Sequence, residues 1–439
     1  MEYLGVEKAI LRRGVEWDID PTLDRINQLM DLLGQPQRAY PVVHITGTNG
    51  KSSTARMVDT LLRERNLRVG RFTSPHLTSM RERITVDGKP LSEERFVQVY
   101  EDVLPYLELV DQRHGRLSFF ETLTAMAYAA FADAPVDVAV VEVGMGGTWD
   151  STNVADGTVA VVTPISLDHT AYLGPDIDAI AREKAGIIKP GATAVLAQQP
   201  VEAAEVLLRR VAEVGATVAR EGLEFGVLQR GGAMGGQMLR LQGLKGVYDE
   251  VFLPLYGDHQ AGNAACALAA VEMLTAGDEP LDADLVRNAF AQVSSPGRLE
   301  VVRRGPTVLV DAAHNPGAAE SVVEAIDESF GFSRLIGVVA VMADKDVAGV
   351  LERLEPIMTE VVVTRNSSPR SMEVDELRSL AEDIFGTERV HVAARLDDAI
   401  DMAIGLAEEA GEFSGTGVLI TGSVVTAGDA RTLLRAESE

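Results

Sequence analysis

Short apolar, β-branched runs alternate along the chain with stretches in which apolar residues recur every three or four positions. Uninterrupted apolar runs of four to eight residues mark strands buried on both faces, and the wider spacing marks amphipathic helices. The alternation predicts an α/β chain built on parallel sheets. In the first half, strands are expected at 42–45 (VVHI), 69–72 (VGRF), 136–143 (VDVAVVEV), 158–163 (TVAVVT) and 191–197 (GATAVLA). Helices are expected over 23–33, from Ser52 through Leu62, over 119–131, and on both sides of 191–197. Residues 73–84 (TSPHLTSMRERI) are too polar and too rich in turn formers for a regular element and read as a functional loop. Residues 222–253 turn glycine-rich and alternating, as a β-meander does, and 255–276 returns to a helical pattern.

Four turn-forming residues, Ser294-Ser295-Pro296-Gly297, then interrupt the chain, and the strand–helix pattern restarts. Strands at 307–311, 335–341, 360–364, 389–393 and 416–421, separated by helical stretches, predict a small doubly wound, Rossmann-like domain. The expected organisation is a larger N-terminal domain, 1–295, and a smaller C-terminal one, 296–439.

The chemistry concentrates where apolar runs end. PVVHITGTNGKSST (41–54) is a strand, a loop carrying Gly47, Thr48, Asn49, Gly50 and Lys51, and a helix start with Ser52 and Ser53. Backbone amides of such a loop and the helix dipole converge on one spot and bind phosphate; Lys51 adds a charge for the outer phosphates, and a serine hydroxyl can reach Mg²⁺. The strict GxxxxGK[ST] pattern would need Gly where the chain has Ile45. In open parallel sheets, ligands sit beyond the carboxyl ends of the strands. There the chain places Ser74 and His76, Glu142, Asp168 and His169, and Asp311 with His314 and Asn315 (DAAHNP). Glu142 closes an apolar strand in the same sheet as the phosphate loop, a position suited to holding Mg²⁺. His169 could be a metal ligand, but alone it reads more readily as a satisfied loop histidine. GMGG (144–147) fails the dinucleotide fingerprint because Trp149 stands where a glycine is needed. His44, His114, His259 and His391 show no usable pattern.

Composition narrows the function classes. A formal charge of −26 argues against nucleic acid or anionic membranes as partners, and an anionic substrate would need a locally basic pocket. No stretch approaches a membrane span, no basic-then-apolar signal opens the chain, and Cys266 is alone, so a cytoplasmic protein is expected. No interface pattern stands out, which leaves a monomer as the expectation.

The ordered motifs TGTNGKSS, TSPH with RER, VVEVGMGG with DSTN, EKAGIIKPG, GDHQAGNAACALAA, SPGRLE and DAAHNP resemble those of the folylpolyglutamate synthases, often also dihydrofolate synthases in bacteria, within the Mur ligases. The resemblance spans nearly the whole chain. It implies a Mur ligase-like ATPase domain followed by a glutamate-ligase domain. It further implies ATP-dependent joining of L-glutamate to dihydropteroate, or to the γ-carboxylate of a reduced folate, through an acyl phosphate. Carried over by motif position, the nucleotide is held by Thr48 to Ser53, Asn263, Arg298 and Asp311. Mg²⁺, as two ions, is held by Ser74, Glu142 and His169. Lys51, Lys184 and His314 serve catalysis, Lys184 matching a lysine that is carbamylated in this superfamily. Substrate contacts fall on His76, Arg83, Asp150, Asn153, His314 and Ser423. The chain departs from the family pattern with GKSS for the frequent GKGS, with Thr148-Trp149 for Arg-Leu, and with Val424-Val425 for Leu-Tyr. A Mur-type ligase of cell-wall precursors is the second reading; those enzymes usually carry a separate nucleotide-binding domain ahead of the loop, and only about 40 residues precede it here.

Overall fold

The structure, a computed structural model, describes residues 2–14, 20–275, 277–409 and 415–436. Ala276, the last residue of the helical stretch expected over 255–276, lies outside them.

The central sheet has eight strands in the order β4-β3-β2-β5-β1-β6-β7-β8. They are β1 (Val42–Thr46), β2 (Val69–Phe72), β3 (Ile84–Val86), β4 (Lys89–Pro90), β5 (Val138–Glu142), β6 (Val159–Val162), β7 (Thr193–Leu196) and β8 (Thr217–Arg220). From β2 to β8 every pairing is parallel, and β3 and β4 extend one edge as an antiparallel hairpin. Strands β1 and β5 are buried throughout, which is why they read as unbroken apolar runs. The meander expected over 222–253 forms a separate antiparallel sheet of β9 (Gly226–Ala233), β10 (Gly236–Gln242) and β11 (Val247–Leu253).

A third sheet, in the order β12-β13-β17-β14-β15-β16, comprises β12 (Glu300–Arg304), β13 (Thr307–Val310), β14 (Arg334–Val339), β15 (Glu360–Val363), β16 (Val390–Val392) and β17 (Thr416–Thr421). Its five parallel strands are those expected from the sequence. Strand β12 was not expected: EVVRR is only partly buried and pairs antiparallel at the edge. Strand β8 and the β3–β4 hairpin were missed for the same reason, since edge strands lack a doubly apolar signature. The segment 73–84 is not loop throughout: a 3-10 turn, Met80–Arg83, capped reciprocally by Ser79 and Glu82, leads into β3 at Ile84. The 22-residue helix Glu93–His114, which contains Pro105, also escaped the reading, because an internal proline signals a helix end.

Two packing features position the site. The helix Lys51–Glu64 lies against the helix Asp258–Leu274, whose run of small residues (AGNAACALAA) lets the backbones approach closely and is buried nearly all round. On the inner face of the first helix, buried Asp59 takes Arg71 Nη1 of β2 at 2.8 Å and Arg63 Nε at 3.2 Å, tying helix to strand. No helix of the described residues is long and apolar enough to cross a membrane.

On the other face of the sheet, the Phe131 ring closes over Gly70 of β2, so tightly that a Cβ there would meet the ring at 2.5 Å, and it meets Tyr40 edge-on. Replacing Phe131 by Ala should lower the unfolding free energy by about 3–5 kcal/mol, the usual cost of emptying an aromatic site in a core. Chemical denaturation would read this as a shift in midpoint; a loss under about 1 kcal/mol would show that the site collapses around the smaller side chain.

Candidate active site

The loop after β1 is held from three sides. Gly47 has φ +144°, and a Cβ there would fall 1.9 Å from Thr163 Oγ1; Gly50 has φ +88°, and a Cβ there would fall 2.4 Å from Asn263 Oδ1. Both positions therefore demand glycine on conformation and on space. The Thr48 amide donates to the Pro164 carbonyl (3.0 Å), and the Thr48 hydroxyl exchanges hydrogen bonds with the backbone of Ser166. Lys51 opens the helix, and its ammonium donates to the carbonyls of Gly47 and Thr48, both at 3.0 Å. It thus lies back over the loop whose amides form the cradle. Burial lowers its proton affinity, with Glu142 acting in the opposite direction.

The two serines diverge. Ser52 Oγ donates to Glu142 Oε1 (2.8 Å), whereas Ser53 Oγ meets Ser295 Oγ (3.1 Å) at the junction with the C-terminal sheet. Sequence left open which serine faces the metal, because both follow Lys51 on the first helical turn. Glu142, the last residue of β5, also accepts the Ser74 amide on Oε2 (3.1 Å). Burial raises its carboxyl affinity for a proton, and Lys51 and the Ser52 hydrogen bond work against that.

One buried carboxylate, neighbouring hydroxyls and space for phosphate oxygens form a hard donor set of the kind Mg²⁺ uses, since that ion keeps waters and substrate oxygens in its shell. Among the described residues no three His, Cys, Asp or Glu side chains could hold a metal by themselves. The donors thus fit an ion that arrives with a nucleotide. His169, in the left-handed conformation at the start of a one-turn helix, has its pKa lowered to about 3 by burial, so the imidazole is neutral and able to ligate at ordinary pH. Lys184, 4% exposed, reaches across to the Gly47 carbonyl (2.8 Å), and burial reinforced by Lys51 brings its pKa down to about 7.

The junction brings in residues from the second half. Asn263 packs on Gly50 and donates to Gln260 Oε1 (3.2 Å). Arg298 lines the cleft between the sheets together with Ser52. Asp311 accepts the amides of Leu299 and Ala313, both at 2.7 Å, and so fixes the strand end beside Arg298. His314 bonds the Ala312 carbonyl through Nδ1 (3.0 Å) and holds Nε2 3.5 Å from Asp168 Oδ2.

Asp168 is a hub that sequence reasoning did not identify as such. It receives Lys345 Nζ on Oδ1 (2.7 Å) and Asn315 Nδ2 on Oδ2 (3.1 Å), and Asn315 also donates to Asn49 of the phosphate loop (3.2 Å). Burial opposes its charge, but the His314 hydrogen bond and the Lys345 ammonium hold its carboxyl well below the usual range. Lys345 was missed altogether. Its only sequence signal is the turn MADKD after a buried strand, placed like the other site residues at a strand end.

Five of the expected substrate residues, His76, Arg83, Asp150, Asn153 and Ser423, make polar contacts inside the protein. Asp150 accepts the amides of Met145 (2.9 Å) and Thr152 (3.0 Å) and shapes the GMGG turn. Asn153 Nδ2 ties that turn to the carbonyls of Thr148 and Gly186, although its buried Oδ1 has no partner among the described residues. Arg83 donates to His76 Nδ1 (2.8 Å) and lies over the Phe119 ring. Ser423 is the furthest from a free contact: its hydroxyl takes the Thr426 amide at the head of the last helix and bonds Asn366 Nδ2 and Thr426 Oγ1.

Residues 45–271 match the Mur ligase middle domain, and residues 297–424 match the Mur ligase glutamate ligase domain. The chain is 53% identical to the dihydrofolate synthase/folylpolyglutamate synthase of Mycobacterium tuberculosis, over 98% of this chain and 93% of that protein. It is 34% identical to the Bacillus subtilis protein of the same name, over 96% of each. It superposes on the M. tuberculosis folylpolyglutamate synthase complexed with ADP with a TM-score of 0.95, at 53% identity and 98% coverage of both chains. With E. coli FolC in complex with DHPP and ADP the TM-score is 0.88, at 28% identity over 100% of this chain and 99% of that one. A chain with this fold, these loop contacts and these relatives belongs to the dihydrofolate synthase/folylpolyglutamate synthase family of Mur ligases.

Proposed function

We propose that this chain joins L-glutamate to dihydropteroate and to the γ-carboxylate of reduced folates, using ATP bound at the β1 loop to make an acyl phosphate. The observation that carries the reading is the convergence of the phosphate loop, the Ser52–Glu142–Ser74 group and the Asp168–His314–Lys345 cluster on one junction. The identity to bifunctional relatives favours folate acceptors over a cell-wall precursor.

In this mechanism Lys51 swings from the loop carbonyls to the outer phosphates, and the loop amides with the helix dipole take up the charge that builds as a carboxylate approaches the γ-phosphoryl group. Ser74, Glu142 and His169 would hold Mg²⁺, which supplies charge neutralisation on the phosphates when bound. Asn263, Arg298 and Asp311 bracket the nucleotide from the junction. His314, oriented by the Ala312 carbonyl and Asp168, faces the glutamate amine that attacks the acyl phosphate and releases inorganic phosphate. Lys184, with its proton affinity depressed by burial, keeps enough neutral amine to add CO₂; one proton leaves, and the resulting carbamate is an anion beside the phosphate loop, suited to a second Mg²⁺. The polar groups of His76, Arg83, Asp150, Asn153 and Ser423 act by shaping the folate-side walls. The acting unit is taken as a monomer, working in the cytoplasm.

Purified protein should release phosphate from ATP only when L-glutamate and an acceptor, dihydropteroate or tetrahydrofolate, are present. Replacing Lys51 by Ala should lower turnover by about a thousandfold with either acceptor, as removal of a preorganised charge contact does. Survival of one activity would refute a shared ATP site. Replacing Lys184 by Ala should likewise abolish turnover, and short carboxylic acids added to that variant should restore part of it by standing in for the carbamate. Full activity of Lys184→Ala in CO₂-depleted buffer would rule the carbamate out.

A further inference from the structure

Just below the phosphate loop, the helix Lys51–Glu64 carries Arg56, Asp59 and Arg63, spaced three and four residues apart along one side. With Arg71 of β2 they make three guanidinium groups around one carboxylate. Asp59 is taken by Arg71 and Arg63. Arg56 is left over: among the described residues, no hydrogen bond or ion pair reaches its guanidinium. Burial and the neighbouring Arg71 lower its pKa only to about 10, so it stays charged at neutral pH.

Arg56 lines the cleft between the 73–77 loop and the start of the C-terminal sheet, together with Arg298, Ser52, Thr73 and Pro75. Two carboxylates lie near that cleft, and both are committed. Glu82 accepts the amides of Leu77, Thr78 and Ser79 at 2.9–3.1 Å. Glu142 takes Ser52 and the Ser74 amide. Two guanidinium groups therefore line one cleft whose nearby carboxylates already accept hydrogen bonds from other donors, and a guanidinium's forked donors match a carboxylate.

The position of Arg56 says which carboxylate. The carboxyl group being phosphorylated must sit between Lys51, Ser52 and Glu142. Arg56 follows Ser52 by four residues, about 6 Å along the helix. In a glutamyl acceptor the α-carboxylate is four carbon–carbon bonds from the reacting γ-carboxyl, about 5 Å when extended. Dihydropteroate ends in a single aryl carboxylate and has nothing to place there. We propose that Arg56, which lines this cleft with Arg298, binds the α-carboxylate of the terminal glutamate of a folate acceptor and so sets the preference for glutamylated acceptors over dihydropteroate. The inference rests on the ligase reading above.

The test is steady-state kinetics of the full chain with ATP, Mg²⁺ and L-glutamate, comparing tetrahydrofolate with dihydropteroate in the wild type, Arg56→Gln and Arg56→Lys. Arg56→Gln should raise KM for tetrahydrofolate at least tenfold with a smaller change in kcat. The ratio of kcat/KM for the two acceptors should move toward dihydropteroate by the same factor, and Arg56→Lys, which keeps the charge but not the fork, should recover part of it. An equal loss with both acceptors would overturn the proposal by assigning Arg56 to the nucleotide or to the fold, and so would an unmoved ratio. The ADP-induced rise in melting temperature, expected to match the wild type in both variants, separates a lost contact from a misfolded chain; should Arg56→Gln not fold, the same ratio is read from Arg56→Lys. A wild type inert with both acceptors would sink the ligase reading and this subsite together, whereas an active wild type with an unmoved ratio sinks the subsite alone.

Discussion

The arrangement depends on how little room surrounds the phosphate loop. Thr163 lies under Gly47 and Asn263 against Gly50, each too near for a side chain on the glycine. Asn263 belongs to the helix Asp258–Leu274, far along the chain, and that helix is where it is because its alanine- and glycine-rich face packs against the helix that the loop opens. Loop, sheet and distant helix are thus fixed against one another by contact distances that tolerate no added methyl group. A loop held in this way presents its amides already oriented, so the cost of ordering them is met on folding rather than on binding.

The electrostatics follow a similar logic. The chain is strongly acidic as a whole, yet Lys51, Lys184, Lys345, Arg56 and Arg298 gather around one junction with Glu142, Asp168 and Asp311 between them. Substrates that are all anions would be repelled by the general surface field, so attraction has to be local and short-ranged, within a screening length of about 8–10 Å. Several of these cations are buried and bonded to backbone carbonyls or to Asp168. Lys51 and Lys184, bonded to carbonyls, are thereby held without a carboxylate that a substrate would have to displace, whereas Lys345 is held by Asp168.

Much of this was legible in the sequence because the site is assembled from strand ends. A strand buried on both faces announces itself by its apolar run, and the polar residue that closes it, as with Glu142, is then conspicuous. What could not be read depends on contacts between distant segments. Lys345 meets Asp168 across 177 positions, and nothing local distinguishes it from a solvated turn lysine. Ser52 and Ser53 differ only in which side of the helix start faces β5. Ser423 looked like a substrate contact by motif, but the structure shows its hydroxyl engaged in capping a helix, a use of serine that sequence alone reads just as readily. Strands β8 and β12 were lost because half-buried edges carry no period to detect.

The two halves meet at the site through polar contacts: Asn49 with Asn315, and Asp168 with Asn315, Lys345 and His314. Hydrogen bonds of this kind contribute only about 0.5–1.5 kcal/mol each once competition with water is counted, somewhat more where a charge is involved. Such a junction is specific in register and modest in strength. A nucleotide bracketed by Lys51 on one side and Arg298 on the other would add to closure more than these contacts do, so occupancy of the ATP site can govern how tightly the junction shuts. Closure then coincides with the moment at which an acyl phosphate needs shielding from water. The same weakness permits opening once phosphate and ADP have formed, since water can replace these hydrogen bonds. Acceptor choice has to be made within that closing cleft, where the walls come from the 73–77 loop and the first turns of the helix below it. The phosphate loop itself is common to every acceptor and cannot discriminate among them.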